Sequence, residues 1–450
     1  MYFTGMKAEL YRDRWLELKC APGKADPERL HHLSARIALS FLDQYYYGDT
    51  YDGGYIELLC EMATSGTEAA ESAASSALFG IVIEGLCDDF EELQTEAYNR
   101  VMSQVVSFCR KIPQGRKLDG RLSRFGLGTY EDIYSRAEGL RVGGARPFTR
   151  RNLRKIIILS RVTVGADVAV TSVFIRRLMD LMPYAEIVLI GSARLDGIFG
   201  GNDRIRIVPL DYTRRGGLVE RISSWHSVLK LVQAETAEFA GEDYVLLDTD
   251  SRLSQLGVLP LVESSSYLFF NSRGSDSYPK KLSMSELANH WFDLVFGKGK
   301  YAHPSVWLQE DNIAAASKFV RRIRDAGCHR IVAVNLGVGG NSRKRIEGEF
   351  EERLLAEMAA EGRTVVLLDR GFGGEEAERT GRLLKLLKKR GVKTGDAASL
   401  KSRAAVFPSG VLGVTADIGE IAALISCSDE FVGYDSACQH IAAAAGIPTC

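Results

Sequence analysis

From Lys155 onward, short unbroken apolar runs alternate with longer stretches in which apolar residues return every three or four positions. The runs are KIIILS (155–160), EIVLIG (186–191), RIRIVPL (204–210), YVLLD (244–248), RIVAVNLG (330–337), RTVVLLD (363–369) and EFVGYD (430–435). Apolar runs of this length predict strands buried on both faces. The stretches between them predict helices, among them Val168–Met182, Arg215–Glu238, Glu349–Glu361, Glu375–Arg390 and Gly419–Ser426. Strand and helix in alternation imply parallel sheets wound with right-handed crossovers. The runs form two groups, about 155–270 and 330–450, separated by a mostly helical stretch around Ser283–Lys318. The prediction is therefore two doubly wound α/β domains in tandem, with the carboxyl ends of both sheets turned toward a shared cleft.

Residues 1–140 carry no such runs. Pro27–Tyr47, Glu68–Leu86 and Asp89–Lys111 have helical spacing; in the last, Phe90, Leu93, Ala97, Val101, Val105 and Phe108 fall on one stripe. Gly48, Gly53, Gly54, Pro113 and Gly115 punctuate the gaps. The expectation is an all-α N-terminal accessory domain over 1–140, with a scaffold or partner-binding role. A linker follows at 141–154, within the basic segment GLRVGGARPFTRRNLRK, whose charges read as solvated.

Composition narrows the function classes. A net charge of -1 gives no global attraction to nucleic acid. The start, MYFTGMKAELYRDRW, lacks the make-up of a signal peptide. The most apolar window, Ala73–Cys87, contains Glu84 and is shorter than the ~20 residues of a spanning helix, so it reads as a buried helix. Eight cysteines without C-x-x-C spacing read as reduced thiols of a cytoplasmic protein. Cys438 and His440, two apart on a helix, diverge too far to form a metal site.

Four segments could carry chemistry. In SRVTVGADVAVTS, after the 155–160 strand, Gly165 lets the loop approach a ligand and Asp167 stands at or near the cap of the next helix. In EFVGYDSACQHIAAAAGIPT, Asp435 or Ser436 caps a helix Ala437–Ala445 whose free N–H groups favour an anion; His440 shares a face with Ser436. In NLGVGGNSRKRIEGEF, Gly337 opens a Gly-rich loop and Arg343, Lys344 and Arg345 supply positive charge, although the P-loop pattern is absent. In YVLLDTDSRL, Asp248 and Asp250 imitate a D-x-D motif that could hold a divalent ion on a diphosphate.

Together these segments, over about 153–450, resemble glycosyltransferase family 9, the bacterial heptosyltransferases. D-S-x-x-x-H-x-A-A-A-x-G-x-P-T from Asp435 is similar to that family's nucleotide-sugar loop, and SRKRI to its Lys-Arg-Trp segment, with Ile346 for Trp. The chain departs from the pattern at Ala166, which separates Gly165 from Asp167, and at Ala437, where the family has Gly. The family also continues past the equivalent of Pro448-Thr449 with another strand and helix. The resemblance implies a GT-B-type fold, with an N-terminal Rossmann-like domain at 155–325 and a C-terminal, nucleotide-sugar-binding one at 326–450. It implies an inverting transferase using neither metal nor cofactor and an ADP-linked donor, with heptose as a candidate sugar. The acceptor would be a glycan, glycolipid or protein, reached by peripheral contact with the inner membrane. Asp167 would be the general base. Lys344, Arg343 and the N–H groups around Ser436, Ala437 and Cys438 would face the diphosphate. Glu375 or Glu376 would hold ribose or base, and His440 would orient the loop or touch phosphate. The competing expectation is a non-catalytic nucleotide-sugar binder or scaffold.

Overall fold

A computed structural model describes residues 7–20, 26–88, 91–143, 145–212, 216–273, 278–279, 281–339, 342–346, 348–371, 374–402 and 406–450. The expected helix starts at Asp89 and Arg215 and the Gly340-Asn341 part of the Gly-rich loop lie outside these residues.

The α/β part holds two five-stranded sheets. The first contains β1 (Lys155–Leu159), β2 (Glu186–Gly191), β3 (Ile205–Pro209), β4 (Tyr244–Asp248) and β5 (Tyr267–Phe269), in the order β3-β2-β1-β4-β5. The second contains β6 (Arg330–Asn335), β7 (Thr364–Asp369), β8 (Thr394–Ala397), β9 (Gly410–Val414) and β10 (Glu430–Gly433), in the order β10-β6-β7-β9-β8. Pairing is parallel, as apolar runs joined by helices require: Ile157 lies opposite Val188, Val332 opposite Val366, and Ala333 opposite Phe431. All seven expected strands form; β5, β8 and β9 were not expected. The two-residue period of a strand divides the second sheet's core. Ile331, Val365 and Leu367 pack with Phe319, Ile323 and Leu424 on one face. Val332, Val366 and Leu368 pack with Leu355, Leu384 and Leu387 on the other.

The chain forms two compact units that do not follow its order. The first comprises Met1–Leu153, Leu210–Leu282 and Leu294–Gly297. Its N-terminal part is helical throughout, and local signals set the helix starts. Asp26 accepts the Glu28 N–H ahead of Pro27, and Thr129 with Asp132 makes a reciprocal capping box. These helices cover the loop that follows β4, which is almost wholly buried from Asp248 to Val262. Arg136 donates to the Gly257 carbonyl at 2.5 Å and Arg121 to that of Leu261 at 2.8 Å. Arg273 pairs with Asp250 at 2.9 Å and also donates to the Cys87 carbonyl. The helical stretch and the β4–β5 segment thus share one polar interior. Nor are the charges of the 139–155 segment simply solvated: Arg150 donates to the carbonyls of Gly241 and Ser265, and Arg151 to those of Phe148 and Phe296. Phe148, buried beside Phe296, anchors the segment. The helix Glu68–Cys87 is long and apolar enough by composition to cross a membrane, yet 61% of its apolar 18-residue window is buried in the protein. It contains a π-helical stretch, Ala77–Ile83.

The second unit comprises Arg154–Pro209, Ser283–Asp293 and Lys298–Cys450, so β1–β3 and the whole second sheet share it. Two glycines let them approach. A Cβ on Gly197, in the helix Asp196–Phe199, would lie 2.9 Å from the Cα of Gly419, at the start of the helix Ile418–Ser426. Nearby, the Trp307 N–H donates to the Ile198 carbonyl of the same short helix and its carbonyl accepts the Gly201 N–H just past the helix, which ties the 303–309 segment down.

Candidate functional site

The first element of the site is the turn after β1. Val162, a β-branched residue, sits at φ 75, a strained conformation. Its N–H donates to Ser160 Oγ at 2.9 Å, and that hydroxyl donates to Asp167 Oδ2 at 2.6 Å. Asp167 Oδ1 accepts the Arg161 N–H at 2.8 Å and the Thr171 hydroxyl at 2.7 Å. The helix begins earlier than expected, at Val164, so Thr163 occupies the cap position and Asp167 lies one turn inside. Asp167 is therefore not a helix cap. Its carboxylate is fully buried, and burial outweighs the three donors, pushing its pKa up to about 6. The turn Asp167–Thr171 is π-helical, a local widening common at functional positions.

The second element is the tip of the helix Ala437–Ala444. Ser436, in extended conformation, is its N-cap, but its side chain bonds none of the first-turn N–H groups. Those of Ala437 and Cys438 remain at the positive end of the helix. Ser436 Oγ instead lies 3.5 Å from Asn335 Oδ1. Asn335, at the end of β6, also accepts the Gly337 N–H at 3.0 Å and donates to Asp369 at 2.6 Å. β6 and β10 are neighbours on the opposite side of β6 from β7, so Asn335 and Ser436 stand at the point where the strand order reverses. Ligands bind at such points in open α/β sheets.

Lys344 reaches this tip from the short turn Ser342–Lys344. Its ammonium lies 2.5 Å from Asp435 Oδ2, which holds the Asp435 carboxyl below its ordinary pKa. Both side chains are open, at 42% and 62% exposure, so the pair adds little to stability and can exchange for a stronger anion. Arg343 is exposed beside it. Tyr434 fixes the loop: its hydroxyl accepts the Ile346 N–H at 3.2 Å and donates to buried Glu351 at 3.0 Å, which Arg379 also grips. His440 lies 3.8 Å from Asp435, and partial burial lowers its pKa, keeping the ring neutral near pH 7. Cys438 is buried and its thiol pKa is raised by that burial, so it offers only its backbone.

The two elements meet. A Cβ on Gly165 would lie 2.8 Å from the His440 ring and 3.3 Å from the Ala437 Cα. Asp167 and Ser436 therefore flank one contact between the β1 turn and the helix tip. Glu376 lines a small cavity with Asn335, Gly337, Asp369 and Arg379, whereas Glu375 is exposed and does not line it. Burial raises the Asp369 pKa there. Asn335, Asp369 and Tyr434 went unnoticed in the sequence; only their positions at strand ends could have marked them. The D-x-D carboxylates are engaged elsewhere, Asp248 by the Ser251 N–H and the Tyr267 hydroxyl, and Asp250 by Arg273 and Ser272. Among the described residues no group of three or more His, Cys, Asp or Glu could hold a metal ion.

No family model matches the chain, and no curated protein matches it either. Solved structures do. The chain is similar to a glycosyl transferase family 9 protein from Veillonella parvula, with 14% identity over 67% of this chain and 80% of that one, TM-score 0.48. It is similar to E. coli ADP-heptose lps heptosyltransferase II, with 15% identity over 66% and 83%, TM-score 0.44. It is also similar to an E. coli heptosyltransferase solved with ADP-2-deoxy-2-fluoro heptose, with 14% identity over 66% and 87%, TM-score 0.41.

Proposed function

We propose that this protein is a GT-B-type glycosyltransferase that moves a sugar from a nucleotide-diphosphate donor to an acceptor hydroxyl, with inversion and without a metal ion. The observation that carries the reading is the contact just described, in which the Asp167 turn abuts a helix tip that offers N–H groups and that Lys344 reaches from a neighbouring turn. The diphosphate would take the place of the Asp435 carboxylate on Lys344 and accept the Ala437 and Cys438 N–H groups. Charge growing on the leaving group meets donors fixed in advance, each worth ~3 kcal/mol in such sites. Asp167, its pKa near 6, would take the proton of the acceptor hydroxyl as that oxygen attacks the anomeric carbon. To do so it exchanges the Thr171 hydroxyl for that of the acceptor. Glu376, with Asn335 and Asp369 behind it, would hold the ribose. An ADP-linked heptose is the first donor to test, and a glycan, glycolipid or protein acceptor at the cytoplasmic face of the inner membrane fits the reading.

One observation favours the non-catalytic alternative: all three of the Asp167 carboxylate's bonds are made within the chain. The experiment is a donor panel screened by thermal shift, followed by transfer assays on the stabilising donor with wild type and Asp167→Asn. Transfer by wild type with retained donor binding but no transfer by the variant supports the enzyme. Equal turnover removes Asp167 from the mechanism, and donor binding with no transfer by either leaves the binder.

A further inference from the structure

A second concentration of positive charge lies away from the Lys344 loop, in the same unit. The helix Gly374–Lys389 and strand β8 flank a groove of about 680 Å³ lined by Arg370, Arg382, Lys385 and Lys388, with Glu378 and Asp396 as its acidic members. Arg370 and Asp396 satisfy each other. Arg382, Lys385 and Lys388 are exposed and follow at three-residue steps, so their side chains stack along one helix face. Among the described residues none of the three has a hydrogen bond or ion pair; Glu378, one turn before Arg382, does not close on it.

Solvated surface lysines are ordinary, and the helix dipole accounts for Lys388 in the last turn. It does not account for Lys385 and Arg382, one and two turns further in, where the dipole has faded. Like charges at this spacing repel. Thr394, on β8, adds a hydroxyl to the lining. Three cations on one wall of a groove, beside a donor hydroxyl, make a receptor for tetrahedral oxyanions.

We infer that this groove is a second anion site that takes a phosphate group, independent of the donor site. The phosphate could be carried by a soluble metabolite or by a lipid headgroup, and the chemistry of recognition is the same. Lys385 and Lys388 grip the oxygens and Arg382 closes on them.

The test uses the full chain in a Lys344→Ala background, which weakens the donor site, so that the effect of the groove substitutions is read as a difference within that background. One arm titrates inorganic phosphate and glycerol phosphate by calorimetry at low salt. The other floats the protein with phosphatidylcholine vesicles, with and without phosphatidylglycerol. Each arm compares the background with Arg382→Glu/Lys385→Glu added, after circular dichroism confirms folding; a second comparison uses the milder Lys385→Gln. Losing the two cations should weaken binding at least roughly thirtyfold, at about 1 kcal/mol, or about fivefold, for each Lys or Arg near an anionic surface. Soluble phosphate binding lost in the reversed variant assigns the site to a free ligand. Flotation only with phosphatidylglycerol, lost in the same variant, assigns it to lipid. Binding unchanged by the substitutions in both arms, or absent from both, overturns the inference.

Discussion

Replacing Asp167 with Asn should stabilise the protein while it destroys transfer. Full burial carries the carboxyl from its ordinary 3.8 to about 6, which corresponds to about 3 kcal/mol between its protonation states. The folded pKa is the raised one, so the folded state holds this proton more tightly than the unfolded chain does. The group's contribution is most favourable below about pH 4 and is lost as pH climbs through about 6. At pH 8 the wild type therefore carries a buried charge that Asn does not. The amide oxygen keeps the Arg161 and Thr171 donors, and the NH₂ faces Ser160 Oγ, a hydroxyl able to accept. Allowing for imperfect geometry, the gain at pH 8 is about 1–3 kcal/mol, shrinking to near zero by pH 4. Urea unfolding of both proteins from pH 4.5 to 8 measures it. Asp248, buried with a pKa also near 6, is common to both and cancels. A variant no more stable than wild type at pH 8, or equally favoured at both ends of the range, refutes the reasoning.

Lys344→Ala should weaken ADP binding about tenfold in calorimetry while moving stability by less than ~1 kcal/mol, because its pair with Asp435 is exposed. Gly197→Val should cost about 3 kcal/mol, the upper part of the overpacking range, since the added carbons meet the backbone of Gly419; a thermal midpoint equal to wild type would contradict the close approach. Asp250→Ala strands Arg273 in a buried setting and should cost ~3–5 kcal/mol in urea unfolding. Asp250→Asn, which tolerates φ 63, should lose less.

Where the strands would lie was legible wherever burial on both faces demanded an unbroken apolar run. β8 and β9 escaped because they contain glycine where packing leaves no room. A Cβ on Gly413 would meet Asp396 and Leu384 at 2.8 Å, and Gly410, at φ 142, abuts the Lys393 carbonyl. Such glycines lower strand propensity for reasons set by neighbours distant in sequence. β5, only three residues long, carries too little pattern to see. In the site, Gly165 and Ser436 were legible because a tight approach and a helix cap each restrict residue choice locally. Asn335 and Tyr434 act through partners 34 to 101 residues away, which no local pattern records. The same holds for the bonds from Arg150 to Gly241 and Ser265 and from Arg151 to Phe296, which span 91 to 145 residues.

The pairing of the N-terminal helices with the loop after β4 has a consequence for synthesis. The helices leave the ribosome about 100 residues before Asp250–Val262, the segment they enclose. At roughly 5–20 residues per second, their inner surface waits on the order of ten seconds for its complement. During that interval Arg121 and Arg136 lack the Leu261 and Gly257 carbonyls that they bond once folding is complete. Holdase chaperones would engage this protein early, and a ribosome stalled near residue 200 would release a fragment prone to aggregate.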